Sequence, residues 1–315
     1  MRSARSLLAA AATTALTACA LTVPTVSAAH AADAPQQRTS PQYKEYVSLG
    51  DSWSADVTIT GIDSTHAPSG CAQSSWNYPK QVAKALSIPG FRDATCGAAT
   101  TAHLTAAQDV NLFPPVATGT NAPQFDRLTP TTDLVTLGIG GNDAGLAGAV
   151  TGCINVLPKP LGVSCKPKWT APDGTDLMSK RIAESRPLVT AAVRSIRSRS
   201  PKARILLVDY LAGAVPDRGC FPYVQMYDED LKWFGARLAE LNGMLAEVAA
   251  ETGVELVDTY SGSTGHDVCQ ASGTKWVEGV LPISTNPPGL AVPFHPNRLG
   301  ADHQAASVLA AVRRG

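Results

Sequence analysis

Four residues in separate parts of the sequence carry groups that could cooperate in acyl transfer. Ser52, within a Gly-Asp-Ser sequence, has a hydroxyl that can attack a carbonyl carbon once a base removes its proton. His295, in a His-Pro sequence near the C-terminus, has an imidazole that could be this base. The backbone amide of Gly97 and the side chain of Asn142, within Gly-Gly-Asn-Asp, could donate hydrogen bonds to an oxyanion.

Each of these signals also has a less specific interpretation. A serine in this position can simply cap a helix, and Ser54 occupies the last glycine position of the Gly-x-Ser-x-Gly elbow, so that motif is not met. Gly97 could be an ordinary turn glycine beside a disulfide. The glycines before Asn142 could belong to a phosphate loop, but no Gly-Lys-Ser/Thr follows them. A dinucleotide fingerprint fails as well, because Asp143 stands where its last glycine should be.

The elements that must position these residues are visible in the hydrophobic pattern. Five short apolar runs predict strands, at 46–49, 91–95, 134–139, 205–208 and 254–257. Helical patterns alternate with them, at 76–86, 182–199, 231–248 and 299–312. This alternation favours one α/β domain with a parallel sheet covered by helices on both faces. The segments 98–130, 144–177 and 260–294 are irregular and predict long loops at one rim.

The candidate residues follow these apolar runs, or precede the last helix. Ligands of such sheets bind beyond the carboxyl ends of the strands. We therefore expect Ser52, Gly97, Asn142 and His295 to meet at that edge. Lys plus Arg and Asp plus Glu each number 26, which removes the electrostatic basis for binding nucleic acid. The four other histidines of the mature domain lack metal-ligand spacing, and we expect neither a metal site nor a cofactor; they are His66, His103, His266 and His303.

The N-terminal residues predict export. A basic start, an uncharged Ala/Leu/Thr-rich stretch and Ala29-His30-Ala31 indicate a signal peptide at 1–31, followed by a disordered segment at 32–44 and one domain at 45–315. Thr and Pro dilute the apolar stretch, so we expect no stable membrane span. Leu16-Thr17-Ala18-Cys19 has the form of a lipoprotein processing box, so an anchor at Cys19 is the alternative.

Six cysteines remain outside the leader, and an even number in an exported chain predicts three disulfides. No two of them form a Cys-x-x-Cys pair, which disfavours zinc and redox motifs. The residues alone do not choose among the many possible pairings.

Four short motifs follow one another over residues 50–296: Gly-Asp-Ser, the glycine after the second strand, Gly-Gly-Asn-Asp and His-Pro. In this order they resemble the motifs of the SGNH/GDSL hydrolase family. The closest resemblance is to its secreted actinobacterial esterases, lipases and phospholipases with three disulfides. The resemblance implies a flavodoxin-like three-layer α/β/α sandwich with a five-stranded parallel sheet. It also implies sequential disulfides, which here are Cys71–Cys96, Cys153–Cys165 and Cys220–Cys269.

Carried over to this sequence, the family makes Ser52 the nucleophile and His295 the base. Its oxyanion donors are the Ser52 amide, the Gly97 amide and the Asn142 side chain. The family's usual aspartate three residues before the histidine is Val292 here. We therefore predict a Ser52–His295 dyad in which the Val292 backbone carbonyl orients the ring. Two aspartates elsewhere could replace the missing acid, namely Asp267 and Asp302.

The sequence thus predicts a secreted serine carboxylic-ester hydrolase of the lipase or esterase type. Its partner would be a small-molecule or lipid ester, with no nucleic acid, no stable membrane span and a monomeric state. One alternative is a non-catalytic lipid- or glycan-binding protein on the same fold, which the absent aspartate favours. A second alternative is an esterase specific for acetylated glycans.

Overall fold

The structure, a computed structural model, describes residues 43–113, 117–284, 287 and 289–314. The predicted signal peptide, the alternative lipidation site Cys19 and residues 32–42 of the predicted disordered segment lie outside the described residues. In the described ranges, no helix combines the length and the apolar character needed to cross a bilayer.

Five strands form a parallel sheet and overlap the five apolar runs of the sequence. From one edge to the other they are Gly90–Asp93, Glu45–Gly50, Leu134–Gly138, Arg204–Val208 and Glu255–Val257. Two further strands form an antiparallel hairpin. The strands of the described residues are β1 Glu45–Gly50, β2 Gly90–Asp93, β3 Gln108–Phe113, β4 Ala117–Asn121, β5 Leu134–Gly138, β6 Arg204–Val208 and β7 Glu255–Val257.

Four of the α-helices match the predicted helical patterns, and the other three have four to eight residues. The helices of the described residues are α1 Ser52–Ala55, α2 Tyr78–Ala85, α3 Gly141–Ala144, α4 Leu146–Cys153, α5 Leu177–Arg199, α6 Asp228–Thr252 and α7 Arg298–Arg314. The long helices α5 and α6 pack against each other on one face of the sheet, and α2 and α7 pack together on the other.

Alternate residues of each strand face opposite layers. Val135 and Leu207 point to the core beneath α5 and α6, whereas Leu134 and Leu206 pack against α2 and α7. The central strands β5 and β6 are buried on both faces, which is why they appear in the sequence as nearly unbroken apolar runs. The predicted three-layer α/β/α sandwich with a five-stranded parallel sheet is confirmed.

Two regions predicted to be irregular contain regular structure. The segment 98–130 includes the β3–β4 hairpin, which packs on the turn Ser69–Cys71, where a Cβ on Gly70 would lie 2.6 Å from a Val110 methyl carbon. The segment 144–177 includes α4, whose Gly148 and Gly152 weaken its intrinsic helix propensity. Both elements depend on tertiary contacts, so their local sequence does not predict them.

The structure joins the cysteines as Cys71–Cys96, Cys153–Cys165 and Cys220–Cys269, the sequential pairing that the resemblance implies. The first disulfide holds the segment that leads to Gly97, and the second closes a loop after α4. Bridges of this kind restrict the unfolded chain and thereby stabilise the fold.

Candidate active site

A tight turn brings Ser52 to the carboxyl edge of the sheet. Gly50, the last residue of β1, has a φ of 149°, and a Cβ there would lie 2.4 Å from the Gly138 carbonyl oxygen. Only glycine can occupy such a position without displacing β5. Asp51 then caps α1, because its carboxylate accepts the backbone N–H of Trp53 at 2.9 Å. Since Asp51 is the capping residue, the Ser52 hydroxyl remains available for chemistry.

Ser52 and His295 are in direct contact. The Ser52 Oγ lies 2.8 Å from Nε2 of the His295 ring, and Nδ1 of the same ring lies 2.8 Å from the Pro293 carbonyl oxygen. A carbonyl oxygen can only accept, so the neutral ring carries its proton on Nδ1. The lone pair of Nε2 is therefore directed at the serine hydroxyl. This is the arrangement that general-base activation of a serine requires.

The carbonyl that orients the ring differs by one residue from the prediction. The predicted acceptor was Val292, whereas the carbonyl within hydrogen-bond distance of Nδ1 is that of Pro293, one residue later. Phe294, between this proline and His295, has a φ of 58°. The Val292 carbonyl accepts the backbone N–H of His295 at 3.2 Å, and both carbonyls favour the charged form of the ring.

No carboxylate of the described residues contacts the His295 ring. Asp267 accepts from Arg218, and Asp302 pairs with Arg298, so neither replaces the missing acid. Burial lowers the pKa of His295 to about 4, which outweighs the opposing effect of the nearby carbonyls. The imidazole is therefore neutral, and able to accept a proton, from mildly acidic pH upwards.

A buried ion pair anchors the segment that carries His295. The Lys275 ammonium lies 2.9 Å from the Glu278 carboxylate, and both side chains are almost completely buried. The backbone N–H of Glu278 donates to the His295 carbonyl at 3.0 Å, and Asn297 donates to the same carboxylate at 2.9 Å. These contacts fix the backbone on both sides of the imidazole.

Asn142 lies on α3, directly after β5, and faces the same cavity as Ser52. One N–H of its Nδ2 donates to the Ala99 carbonyl at 2.8 Å, and the second has no acceptor among the described residues and can donate to a ligand. The adjacent Asp143 accepts the backbone N–H and the hydroxyl of Thr101. Asp143 thus holds the two loops together.

The Gly97 amide does not point into the site. Gly97 is buried, and its N–H donates to the Cys71 carbonyl at 3.0 Å. The next residue, Ala98, is exposed, lines the cavity and has a φ of 60°. Within the described residues the Ala98 N–H has no acceptor, and neither has the Ser52 N–H. The predicted donor, the Gly97 N–H, is thus bonded to Cys71, and the N–H of Ala98 becomes the candidate donor in its place.

Tyr210 is a site residue that the sequence analysis missed. Its hydroxyl donates to the Asp51 carboxylate at 2.5 Å and accepts the backbone N–H of Gly141 at 2.8 Å. Burial raises the pKa of Asp51 to about 7 and raises the pKa of Tyr210 well above its usual value. Tyr210 thereby links the Ser52 turn to the loop that carries Asn142. Its position just after β6 was the only signal in the sequence.

Replacing Tyr210 with Phe is expected to lower kcat about tenfold with little change in KM, because Gly141 and Asp51 each lose a hydrogen-bond partner that sets the geometry of the site. Leaving these buried groups unsatisfied also costs about 1–3 kcal/mol of stability. Tyr46→Phe is a matched control, because the Tyr46 hydroxyl is buried against Thr136 on the opposite face of the sheet. A Tyr210→Phe variant that loses only stability, as Tyr46→Phe should, would refute a positioning role.

A cavity of about 360 Å³ opens beside these groups. Its lining includes Ser52, Ala98, Asn142 and His295. The remaining wall is mostly apolar and comes from α4, α6 and the segment before His295; it includes Leu146, Val150, Ile154, Phe234, Leu238 and Phe294. Such a cavity suits the hydrocarbon part of a ligand whose polar group meets Ser52.

Known proteins share sequence with this chain over the region that contains these residues. Residues 48–303 match the GDSL-like Lipase/Acylhydrolase family. Lipase 2 of Streptomyces coelicolor is 37% identical over 286 residues, which cover 89% of this chain and 88% of that protein. A lipase of Streptomyces rimosus is 27% identical over 295 residues, covering 91% of this chain and 93% of the lipase.

Two crystal structures share the fold. Phospholipase A1 from Streptomyces albidoflavus superimposes with a TM-score of 0.66 at 23% identity, covering 85% of this chain and 99% of that one. The extracellular lipase of Streptomyces rimosus gives a TM-score of 0.61 at 24% identity, with 85% and 99% coverage.

Proposed function

The chain belongs to the GDSL-like lipase/acylhydrolase family, and from this membership we propose that it is an exported serine hydrolase of carboxylic esters that acts through a Ser52–His295 dyad. The observation that carries the proposal is the 2.8 Å contact between Ser52 Oγ and His295 Nε2 at the end of an apolar cavity. The relatives named lipase support the same reaction class.

In the first step, Nε2 of His295 takes the hydroxyl proton as Ser52 Oγ attacks the ester carbonyl carbon. The negative charge that forms on the carbonyl oxygen is stabilised by the Ser52 and Ala98 amides and by the Asn142 side chain. His295 then gives its proton to the leaving alcohol. Water, deprotonated by the same imidazole, hydrolyses the acyl-enzyme and releases the acid.

The Pro293 carbonyl takes the place of the usual aspartate in this reaction. It fixes the tautomer and direction of the ring through the Nδ1 contact at 2.8 Å. Because it carries no full charge, it stabilises the imidazolium less than a carboxylate would. Burial therefore lowers the pKa of His295 to about 4, and the carbonyl contacts only partly oppose this effect.

Export is part of the proposal. Six cysteines of the described residues are paired in three disulfides, and such pairing persists in oxidising compartments. Mass spectrometry of the N-terminus of the mature protein would separate cleavage after Ala31 from lipidation at Cys19.

A series of p-nitrophenyl esters from acetate to palmitate tests the proposed reaction. Each CH₂ group buried in the cavity contributes ~0.8 kcal/mol, so kcat/KM should rise up to about fourfold per added CH₂ until the cavity is filled. A maximum at acetate would instead favour the esterase of acetylated glycans. A folded protein that hydrolyses none of the series, and that a fluorophosphonate does not label, would be a binding protein.

The pH dependence provides a separate prediction. The base must be neutral, so with a His295 pKa of about 4 we expect kcat/KM to rise around pH 4 and to be level from about pH 5 to 6. Asp51, whose pKa is raised to about 7, stays protonated over that range and does not affect this limb. An inflection near the ordinary imidazole pKa of about 6.5 would contradict the prediction. Circular dichroism at each pH would separate titration from unfolding.

A further inference from the structure

A loop closed by the Cys153–Cys165 disulfide exposes an unusual number of apolar side chains. In this loop, residues 154–164, Val156, Leu161 and Val163 are 70%, 73% and 75% exposed. Ile154 and Leu157 are exposed as well. Half of the ten strongly exposed large hydrophobic residues in the described part of the chain thus lie in eleven consecutive positions. Scattered single residues need no explanation, but a cluster of this kind marks an interaction surface.

Hydrogen bonds with Asp230 and Tyr227 fix the backbone of the loop, and its apolar side chains are exposed on this fixed backbone. The Asp230 carboxylate accepts from the Ser164 hydroxyl and from the backbone N–H groups of Cys165 and Lys166. The Tyr227 hydroxyl donates to the Leu157 carbonyl at 2.8 Å. Together with the disulfide, these bonds fix both the ends and the middle of the loop.

The apolar surface continues into the proposed active site. Ile154, at the start of the loop, also lines the cavity that contains Ser52. Val156 forms a second groove with Phe221, Val280 and Leu281, and Leu281 is itself 63% exposed. A molecule that contacts the start of the loop therefore touches a residue that also lines the cavity containing Ser52.

The charged side chains of the loop and of the residues that follow it are positive, and the two carboxylates that face this segment, Glu229 and Asp230, are bonded to it. Residues 154–172 contain three lysines and no acidic residue. Lys159 pairs with Glu229, whereas Lys166 and Lys168 are exposed and form no ion pair within the described ranges. Lysines beside exposed aliphatic side chains match the chemistry of an anionic lipid surface, in which apolar groups enter the acyl boundary and ammonium groups meet the headgroups.

We propose that the 154–164 loop is the surface through which this protein docks on membranes or lipid aggregates that carry anionic headgroups. The inference rests on the proposed function, because docking there would bring an ester in the lipid next to Ser52. It goes beyond that function by assigning binding to residues that take no part in the reaction.

Vesicle sedimentation tests docking separately from catalysis. The Ser52→Ala variant of the full chain prevents turnover, and the vesicles contain phosphatidylcholine and phosphatidylglycerol in equal parts. In this background, Leu161→Gln with Val163→Thr should lower the partition coefficient at least tenfold. Lys166→Gln with Lys168→Gln should weaken binding to these anionic vesicles but not to vesicles of phosphatidylcholine alone. Leu188→Gln is the matched control, because Leu188 is an exposed leucine on α5 outside the loop.

Equal binding of the Leu161/Val163 variant and the control would overturn the proposal, as would an absence of binding to these vesicles. A protein that dimerises through the loop, shown by sedimentation velocity of the same variants, would also overturn it. With Ser52 restored, the Leu161/Val163 variant should hydrolyse soluble p-nitrophenyl butyrate at the parental rate. Docking without any ester hydrolysis would refute the proposed function and leave the surface assignment intact.

Discussion

Replacing Ser52 or His295 with Ala is expected to lower kcat by a factor of ~10⁴ or more, since each removes one member of a pair that acts as a unit. Ser52→Ala removes the hydroxyl that we propose as the nucleophile, and His295→Ala leaves that hydroxyl without its proposed base. The double variant should be no slower than either single variant, because the two losses are not additive. Steady-state hydrolysis of p-nitrophenyl butyrate measures all three.

Controls for this prediction lie close to the site. Ser54, in the same short helix, is buried and donates to the Gly138 carbonyl at 3.3 Å, so Ser54→Ala tests the removal of a nearby hydroxyl. His303, on α7, contacts the Thr259 carbonyl, so His303→Ala tests the removal of an imidazole. Both should keep kcat within a few-fold of the parent. If Ser52→Ala behaves like Ser54→Ala, another residue is the nucleophile.

The sheet was predictable because its residues obey a rule that acts locally. Strands with helices on both faces must be apolar throughout, and all five residues of Leu134–Gly138 are buried. The helix α6 was predictable from leucines at spacings of three and four, such as Leu238, Leu241 and Leu245. The strand Ala117–Asn121 has no such pattern, because its support comes from the turn at Ser69–Cys71.

The approximate location of the site was also predictable, since Ser52 and Asn142 follow strands whose carboxyl ends meet at one edge. The direction of single backbone groups was not. Whether the N–H of Gly97 or that of Ala98 faces the cavity depends on the backbone angles of these two residues. The residue types alone do not determine those angles. The one-residue difference between Val292 and Pro293 has the same origin.

Tyr210 shows a second limit of sequence reasoning. A buried tyrosine after a strand usually belongs to the core, and nothing in its neighbours shows that its hydroxyl lies between Asp51 and Gly141. These hydrogen bonds join residues that are far apart in sequence, and no sequence motif marks them. They can be recognised only from the three-dimensional arrangement of the two loops.

Replacing Asn142 with Ala should lower kcat ~10²–10³-fold and leave KM nearly unchanged, because its Nδ2 would donate to an oxyanion that exists only in the transition state. The hydrogen bond to the Ala99 carbonyl at 2.8 Å orients the Asn142 side-chain amide before the substrate binds. Thr101→Ala is a suitable control, because it removes the hydroxyl bond to Asp143 between the same loops and leaves the donor intact. A Thr101→Ala loss as large as that of Asn142→Ala would assign the effect to loop disorder.

The backbone donor can be examined in the same way. Incorporating lactic acid in place of Ala98 replaces its N–H with an ester oxygen. We expect this change to lower kcat ~10²-fold relative to the parent protein. Incorporating glycolic acid in place of Gly97 removes a hydrogen bond to the Cys71 carbonyl at 3.0 Å, and should reduce stability by about 1 kcal/mol while kcat changes little. The opposite result would restore Gly97 as the oxyanion donor, because an N–H that contacts the transition state must affect kcat more than folding.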